Sequence, residues 1–137
     1  MNVPLRSPRE KIAGWAHLAR FIDKVRLHQA GKLPEDYQAN FCKGFDGYWL
    51  EGSGVNKDSF FEVVRKSKTD SEIEQWVKVN IRKTSAEVDA CNRKILNRGN
   101  NDDVAQRFQE MKIKAGFAGR DDVRSFADLI DADEGRL

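Results

Sequence analysis

Apolar positions along this chain recur at helical spacing. From Ile12 they continue at Trp15, Leu18, Ala19, Ile22 and Val25, and at ~100° per residue these gather on one face of a helix. The flanks agree. Ser7 suits an N-cap, Pro8 the first helical position, and Glu10 completes a capping box. Gly31 and Pro34 stand where a helix would stop. The pattern predicts one long helix over residues 7–31 with that apolar stripe in the core. Asp23 and Arg26 fall at its margin, one turn apart, and are expected to pair. The opposite face carries Gly14, His17, Phe21, Lys24 and His28, and so both histidines of the chain. It reads first as a solvated face. The alternative is a cleft wall holding two groups that titrate near neutral pH.

Helical signals continue. Pro34-Glu35-Asp36 can open a short helix through Tyr37 and Phe41, and residues 58–66 form an amphipathic stretch with Phe60 and Val64 on one side. Thr69 with Glu72 and Thr84 with Glu87 read as two more capping boxes. The first leads to Ile73, Trp76 and Val77, the second to Val88, Cys91 and Ile95 before Gly99. Asn101-Asp102-Asp103 begins a helix with Val104, Phe108, Met111 and Ala115 on its stripe. Asp121 can cap a last helix carrying Val123, Phe126, Ala127 and Ile130. No segment alternates with period two. The expectation is all-α, a single compact domain over residues 1–137 with about six to seven helices and short connections.

One stretch stands apart. Residues 41–55 place Gly44, Gly47, Gly52 and Gly54 among Phe45, Tyr48 and Trp49, with Asp46 beside them. This reads as a glycine-rich aromatic loop, with one helical turn from Asp46 or a short strand as local options. Its aromatics and acid would suit a pocket wall. Filling the core is the simpler role for Phe45, Trp49 and Leu50. The segment lacks the lysine and hydroxyl pattern of a phosphate loop.

Composition narrows the function classes. Of 137 residues, 24 are basic and 22 acidic, giving a net charge of only +2. The signs are interspersed, so nucleic acid is an unlikely partner. No apolar run approaches a membrane span, and the N-terminus lacks the apolar core of a signal peptide. A cytoplasmic protein with no membrane partner is expected. Cys42 and Cys91 fit no zinc, redox or disulfide spacing, and no motif calls for a metal or a cofactor. The tail acids Asp128, Asp131, Asp133 and Glu134 precede Gly135 and Arg136. They form an incomplete calcium pattern and read as a solvated tail. Docking of Asp133 or Glu134 on Arg6 or Arg9 is the alternative.

Several pieces together resemble a known family. They are Leu5-Arg6-Ser7-Pro8-Arg9-Glu10-Lys11, Phe21-Ile22-Asp23-Lys24-Val25-Arg26, Gly44-Phe45-Asp46, Thr69-Asp70-Ser71-Glu72-Ile73 and the tail from Phe126 to Arg136. In order and rough spacing this set is similar to the bacterial domain-of-unknown-function 5069 family over nearly the whole chain. The resemblance implies no activity, cofactor or catalytic residue. The family pattern often has a proline where this chain has Ala19 and paired glycines at Ala13-Gly14, departures that imply a straighter first helix here.

Two functions compete. The first is a small binding or interaction module, its partner a protein or a small molecule. The second is a small-molecule enzyme or ligand sensor with a cleft between the first helix and the 41–55 segment. Its candidate residues are His17 or His28 as the acid–base group, Asp46 or Asp23 as its orienting carboxylate, Lys24 or Arg20 as an anion anchor, and Phe21, Arg26 and Trp49 beside them. Whether any reaction is catalysed stays open at this point.

Overall fold

The computed structural model describes residues 4–137. Eight helices follow one another without a strand among the described residues: α1 Leu18–Gln29, α2 Glu35–Gln38, α3 Phe45–Ser53, α4 Lys57–Lys66, α5 Asp70–Asn80, α6 Ser85–Leu96, α7 Ala105–Lys114 and α8 Phe126–Asp133. The all-α expectation holds, with one helix more than the upper end of its range.

The first helix is half the predicted length. Ser7 does not cap it. Its hydroxyl accepts from the Arg9 amide at 3.0 Å and donates to Asp131 at 2.9 Å. Residues 7–17 instead make consecutive turns, closed by paired backbone hydrogen bonds between Ile12 and Trp15 at 3.2 and 2.9 Å. Ala13, Gly14 and His17 have φ of 54°, 84° and 70°, and none of these angles can belong to a right-handed helix. Helical spacing of Ile12 and Trp15 was misleading because a tight turn also returns side chains to one side. Both are buried all the same, at 8% and 2% exposure.

Two family features make sense in this geometry. A glycine at position 13 beside Gly14 would relax a left-handed residue, and a proline at position 19 would fall in the first turn of α1, where its missing N–H costs nothing. The departures therefore do not straighten a long helix; they leave Ala13 strained in a turn.

α1 is central. Its Phe21, Ile22 and Val25 pack with Trp15, Trp49 of α3 and Phe60 of α4. Aromatic edges and faces interlock there: Trp15 to Trp49 at 6.2 Å, Trp49 to Phe60 at 4.8 Å and Phe21 to Phe60 at 4.9 Å between ring centres. Ile73 and Val77 of α5, with Cys91 and Ile95 of α6, complete this core. A smaller cluster of Phe108, Val123, Leu129 and Ala132 joins α7 to α8.

The 41–55 segment is not a loop. It is largely α3, in which Gly52 serves close contact while Gly44 and Gly54 take positive φ at its two ends. A Cβ on Gly52 would stand 2.6 Å from Cys91 Sγ, so Gly52 lets α3 and α6 approach closely. The Thr84–Glu87 capping box is complete, whereas Thr69 accepts from the Glu72 amide without the reciprocal bond being formed. Asn101-Asp102-Asp103 makes a turn, with Asp102 accepting from Gly99 and Val104 amides, and α7 starts after it. Met111 and Ala115 of its predicted stripe are exposed. The last helix is capped by Ser125 rather than Asp121.

The tail is docked. Asp131 is 6% exposed, and Arg9 pairs with both Asp128 and Asp131. Arg136 bonds Asp131, Glu134 and the Leu5 carbonyl. The solvated-tail reading is thus overturned. Docking occurs through Asp128, Asp131 and Glu134, while Asp133 stays exposed.

Ala13→Gly distinguishes the observed turn from the predicted helix. In a left-handed turn it should stabilise the protein by about 0.5–1 kcal/mol, as strain relief outweighs added unfolded-state freedom. In a helix it would cost about 1 kcal/mol. Urea denaturation of the two proteins decides the sign.

Candidate functional site

The most unusual chemistry sits where α1 and α3 begin. Asp46 lies in the first turn of α3 and is completely buried. Burial alone would raise its pKa, since an isolated carboxylate is costly in a low dielectric. Three donor groups offset this. His17 Nε2 is 2.6 Å from Oδ1, Lys24 Nζ is 3.3 Å from both oxygens, and the Cys42 amide donates to Oδ2 at 2.9 Å. The positive end of α3 adds to them. The carboxyl is held below its ordinary range, so Asp46 is an anion.

The backbone is shaped around that anion. Left-handed Cys42 and Gly44, with φ of 65° and 52°, turn the 40–44 segment so that the Cys42 amide meets the carboxylate. His17 is the left-handed N-cap of α1, and its amide donates to the Pro8 carbonyl at 2.8 Å. Asn92, buried on α6, clamps the same turn by accepting from the Ala16 amide and donating to the Gly14 carbonyl, each at 2.9 Å.

His17 is 1% exposed, and burial pushes its pKa down from 6.5 against the opposing pull of Asp46. The imidazole is therefore neutral near pH 7. Its Nε2–H donates to Asp46, which leaves Nδ1 as the lone-pair nitrogen. Nδ1 is buried and has no hydrogen-bond partner. Lys24 is also lowered by burial but faces the Asp46 anion, its counter-charge. The Cys42 thiol is pushed up to about 11, first by burial and then by Asp46. It remains protonated and is a poor nucleophile.

His17 and Lys24 also line a cleft of about 570 Å³, within the roughly 300–1,000 Å³ typical of small-molecule sites. Most of its walls are helical faces. α1 and its cap give His17, Arg20 and Lys24; α7 and its cap give Val104, Arg107 and Met111; α8 gives Phe126, Ile130 and Asp133. The start of α3 adds Phe45 and Tyr48, and α2 adds Asp36 and Tyr37. Glu134 closes one end. It receives both Arg20 guanidinium nitrogens at 2.8 and 2.7 Å, and the Tyr37 hydroxyl at 3.3 Å. Burial opposes ionisation of Glu134, but Arg20 and Arg136 hold its pKa below the usual range.

Of the residues singled out in the sequence, His17, Arg20, Lys24 and Asp46 come together at this cleft, with Arg20 engaged by Glu134. Phe21 and Trp49 are fully buried in the core. Asp23 and Arg26 do not pair with each other. Arg6 grips Asp23 with Nε at 3.1 Å and Nη2 at 3.0 Å, and reaches Asp70 at 2.6 Å; Arg26 meets Asp70 at 2.8 Å. Asp70 at the start of α5 is the competitor that helical spacing could not reveal. His28 is exposed against Phe41, 4.7 Å between ring centres. The stripe opposite the apolar face is therefore not solvated as a whole: His17, Phe21 and Lys24 are buried.

Sequence reasoning did not assign Lys43, Arg98 or Arg107 to a site. Nor did it separate cleft-facing Val104, Met111 and Ile130 from core residues, because periodicity reports a face without saying what it faces.

These features define an all-helical protein with a buried histidine–carboxylate–lysine cluster beside a small-molecule-sized cleft. A family model described as Domain of unknown function (DUF5069) matches residues 2–136, and the chain belongs to that family. No curated protein matches the chain.

The sign of the His17 shift gives a pH prediction. A histidine whose pKa falls on folding stabilises the protein above its unfolded value near 6.5, and that contribution is lost as pH falls from there through the folded value. Wild-type denaturation midpoints should fall between about pH 7 and pH 5. His17→Asn, which tolerates the left-handed backbone, should be flatter over that window. Equal slopes would show that His17 is not held neutral.

Proposed function

We propose that the protein binds a small molecule in this cleft and offers it the Nδ1 lone pair of His17. The single observation behind this reading is that Nδ1 is a buried acceptor without a partner, beside a relay in which the Asp46 carboxylate is fully engaged. An unsatisfied buried acceptor costs free energy unless a ligand or solvent donor meets it. Asp46 fixes the tautomer and orients the ring, as a base in a proton-transfer site requires. A ligand O–H or N–H placed at Nδ1 would be hydrogen-bonded there, and an acidic one could be deprotonated. Binding module and cleft protein thus become one reading, with a small molecule as occupant.

Cleft size and its mixed lining of Phe45, Met111 and Ile130 with charged groups favour this occupant. The prediction is that compounds selected by their shift of the His17 side-chain nitrogen resonances will also raise the melting temperature. Ile130→Trp, which fills the cleft, should abolish both effects while preserving the helical circular dichroism. Absence of any compound that shifts His17, or equal binding by Ile130→Trp, would refute the proposal.

A further inference from the structure

Charges of both signs line the cleft, and apart from Lys24, which is held by Asp46, and Lys43 they fall toward one or the other end of α8. α8 runs the length of one wall, and its two ends are fixed to different neighbours. At its start the Phe126 amide donates to the Arg98 carbonyl at 2.9 Å. Just beyond its end Glu134 is held by Arg20 and Tyr37. From Phe126 to Asp133 the helix rises about 10 Å.

Near the Phe126 end the lining carries guanidinium groups. Arg98 leaves α6 there, 5.8 Å from the centre of the Tyr48 ring. Arg107 projects from the adjoining first turn of α7, the helix whose Phe108 packs on Phe126 at 5.4 Å between ring centres. Arg98 already bonds Asp103, whereas Arg107 forms no ion pair among the described residues. At the Glu134 end carboxylates join the lining. Arg20 and Glu134 neutralise each other at 2.7 Å. Asp36, next to Tyr37, and Asp133, next to Glu134, also line the cleft and form no ion pair among the described residues. Ile130 and Met111 lie between the two ends along α8 and α7.

We infer that the cleft takes a zwitterionic ligand, with its anionic group toward Arg107 and its cationic group toward Asp133 and Asp36. This rests on the reading of the cleft as a small-molecule site and adds the chemical class of the molecule. An apolar chain or ring would span the middle, where Ile130 and Met111 desolvate it. A singly charged ligand would leave one end of the cleft unmatched. A zwitterion about 10 Å long meets both ends and forms a charge-assisted contact at each.

The test uses three probes of matched chain length, 8-aminooctanoate, octanoate and octylamine, titrated into the full chain by calorimetry or nuclear magnetic resonance. The zwitterion should bind about tenfold more tightly than either singly charged probe. Arg107→Ala should remove its advantage over octylamine and leave its advantage over octanoate. Asp133→Asn should do the reverse. Both side chains are exposed, so the variants should fold, and unchanged melting curves check this. Three probes of equal affinity, or no binding by any of them, would overturn the zwitterion assignment. So would variants that fail to split the preference in this way. The small-molecule reading is judged separately, by whether other compounds shift His17 and lose that effect in Ile130→Trp.

Discussion

A single buried carboxylate organises the site end of this molecule. Asp46 is inaccessible to water and could not remain ionised there alone. The chain surrounds it with an imidazole, an ammonium group and a backbone amide. Each of these is drawn from a different local structure. His17 comes from the cap of α1, Lys24 from two turns further along that helix, and Cys42 from a left-handed loop. Satisfying one carboxylate thereby fixes the angle at which α1 and α3 begin. Removing a partner from such a cluster costs about 3–5 kcal/mol, far more than an exposed pair is worth.

The same economy of polar contacts holds the termini. Residues 5–9 strap across three helices. Arg6 bridges Asp23 of α1 and Asp70 of α5, while Ser7 and Arg9 reach Asp131 and Asp128 of α8. The tail answers through Arg136 to the Leu5 carbonyl. This strap holds the turns before α1 in place, and those turns deliver His17 in its left-handed conformation. Asn92 secures them from the other side. His17 is positioned by backbone that three distant segments stabilise, and its unpaired nitrogen is a product of that constraint.

The cleft then follows from incomplete packing. α7 buries Phe108 against α8 but leaves Val104, Arg107 and Met111 along the recess. α8 buries Ala127 and Leu129 yet turns Phe126, Ile130 and Asp133 toward it. Helices α1, α3, α7 and α8 thus enclose a space that none of them fills. His17 occupies its most buried edge and the exposed charges its rim.

The sequence alone determined the all-α class and most helix bodies, because 3.6-residue spacing and capping side chains act within a few residues. Thr84 with Glu87 is legible from four letters, and Ile73, Val77, Cys91 and Ile95 were legible as core for the same reason. The family was legible as well, from the order and spacing of short pieces such as Gly44-Phe45-Asp46. Three matters were decided only in the tertiary structure. Whether residues 7–17 coil into a helix depends on left-handed angles that the distant Asn92 and the docked tail hold in place. Whether Asp23 pairs with Arg26 depends on Arg6 and Asp70, and Asp70 lies 44 residues from Arg26 along the chain. Whether Val104, Met111 and Ile130 fill a core or border a cleft depends on what stands opposite them. Helical periodicity gives the direction of a side chain relative to its own axis, and the neighbour it meets is a long-range property of the fold.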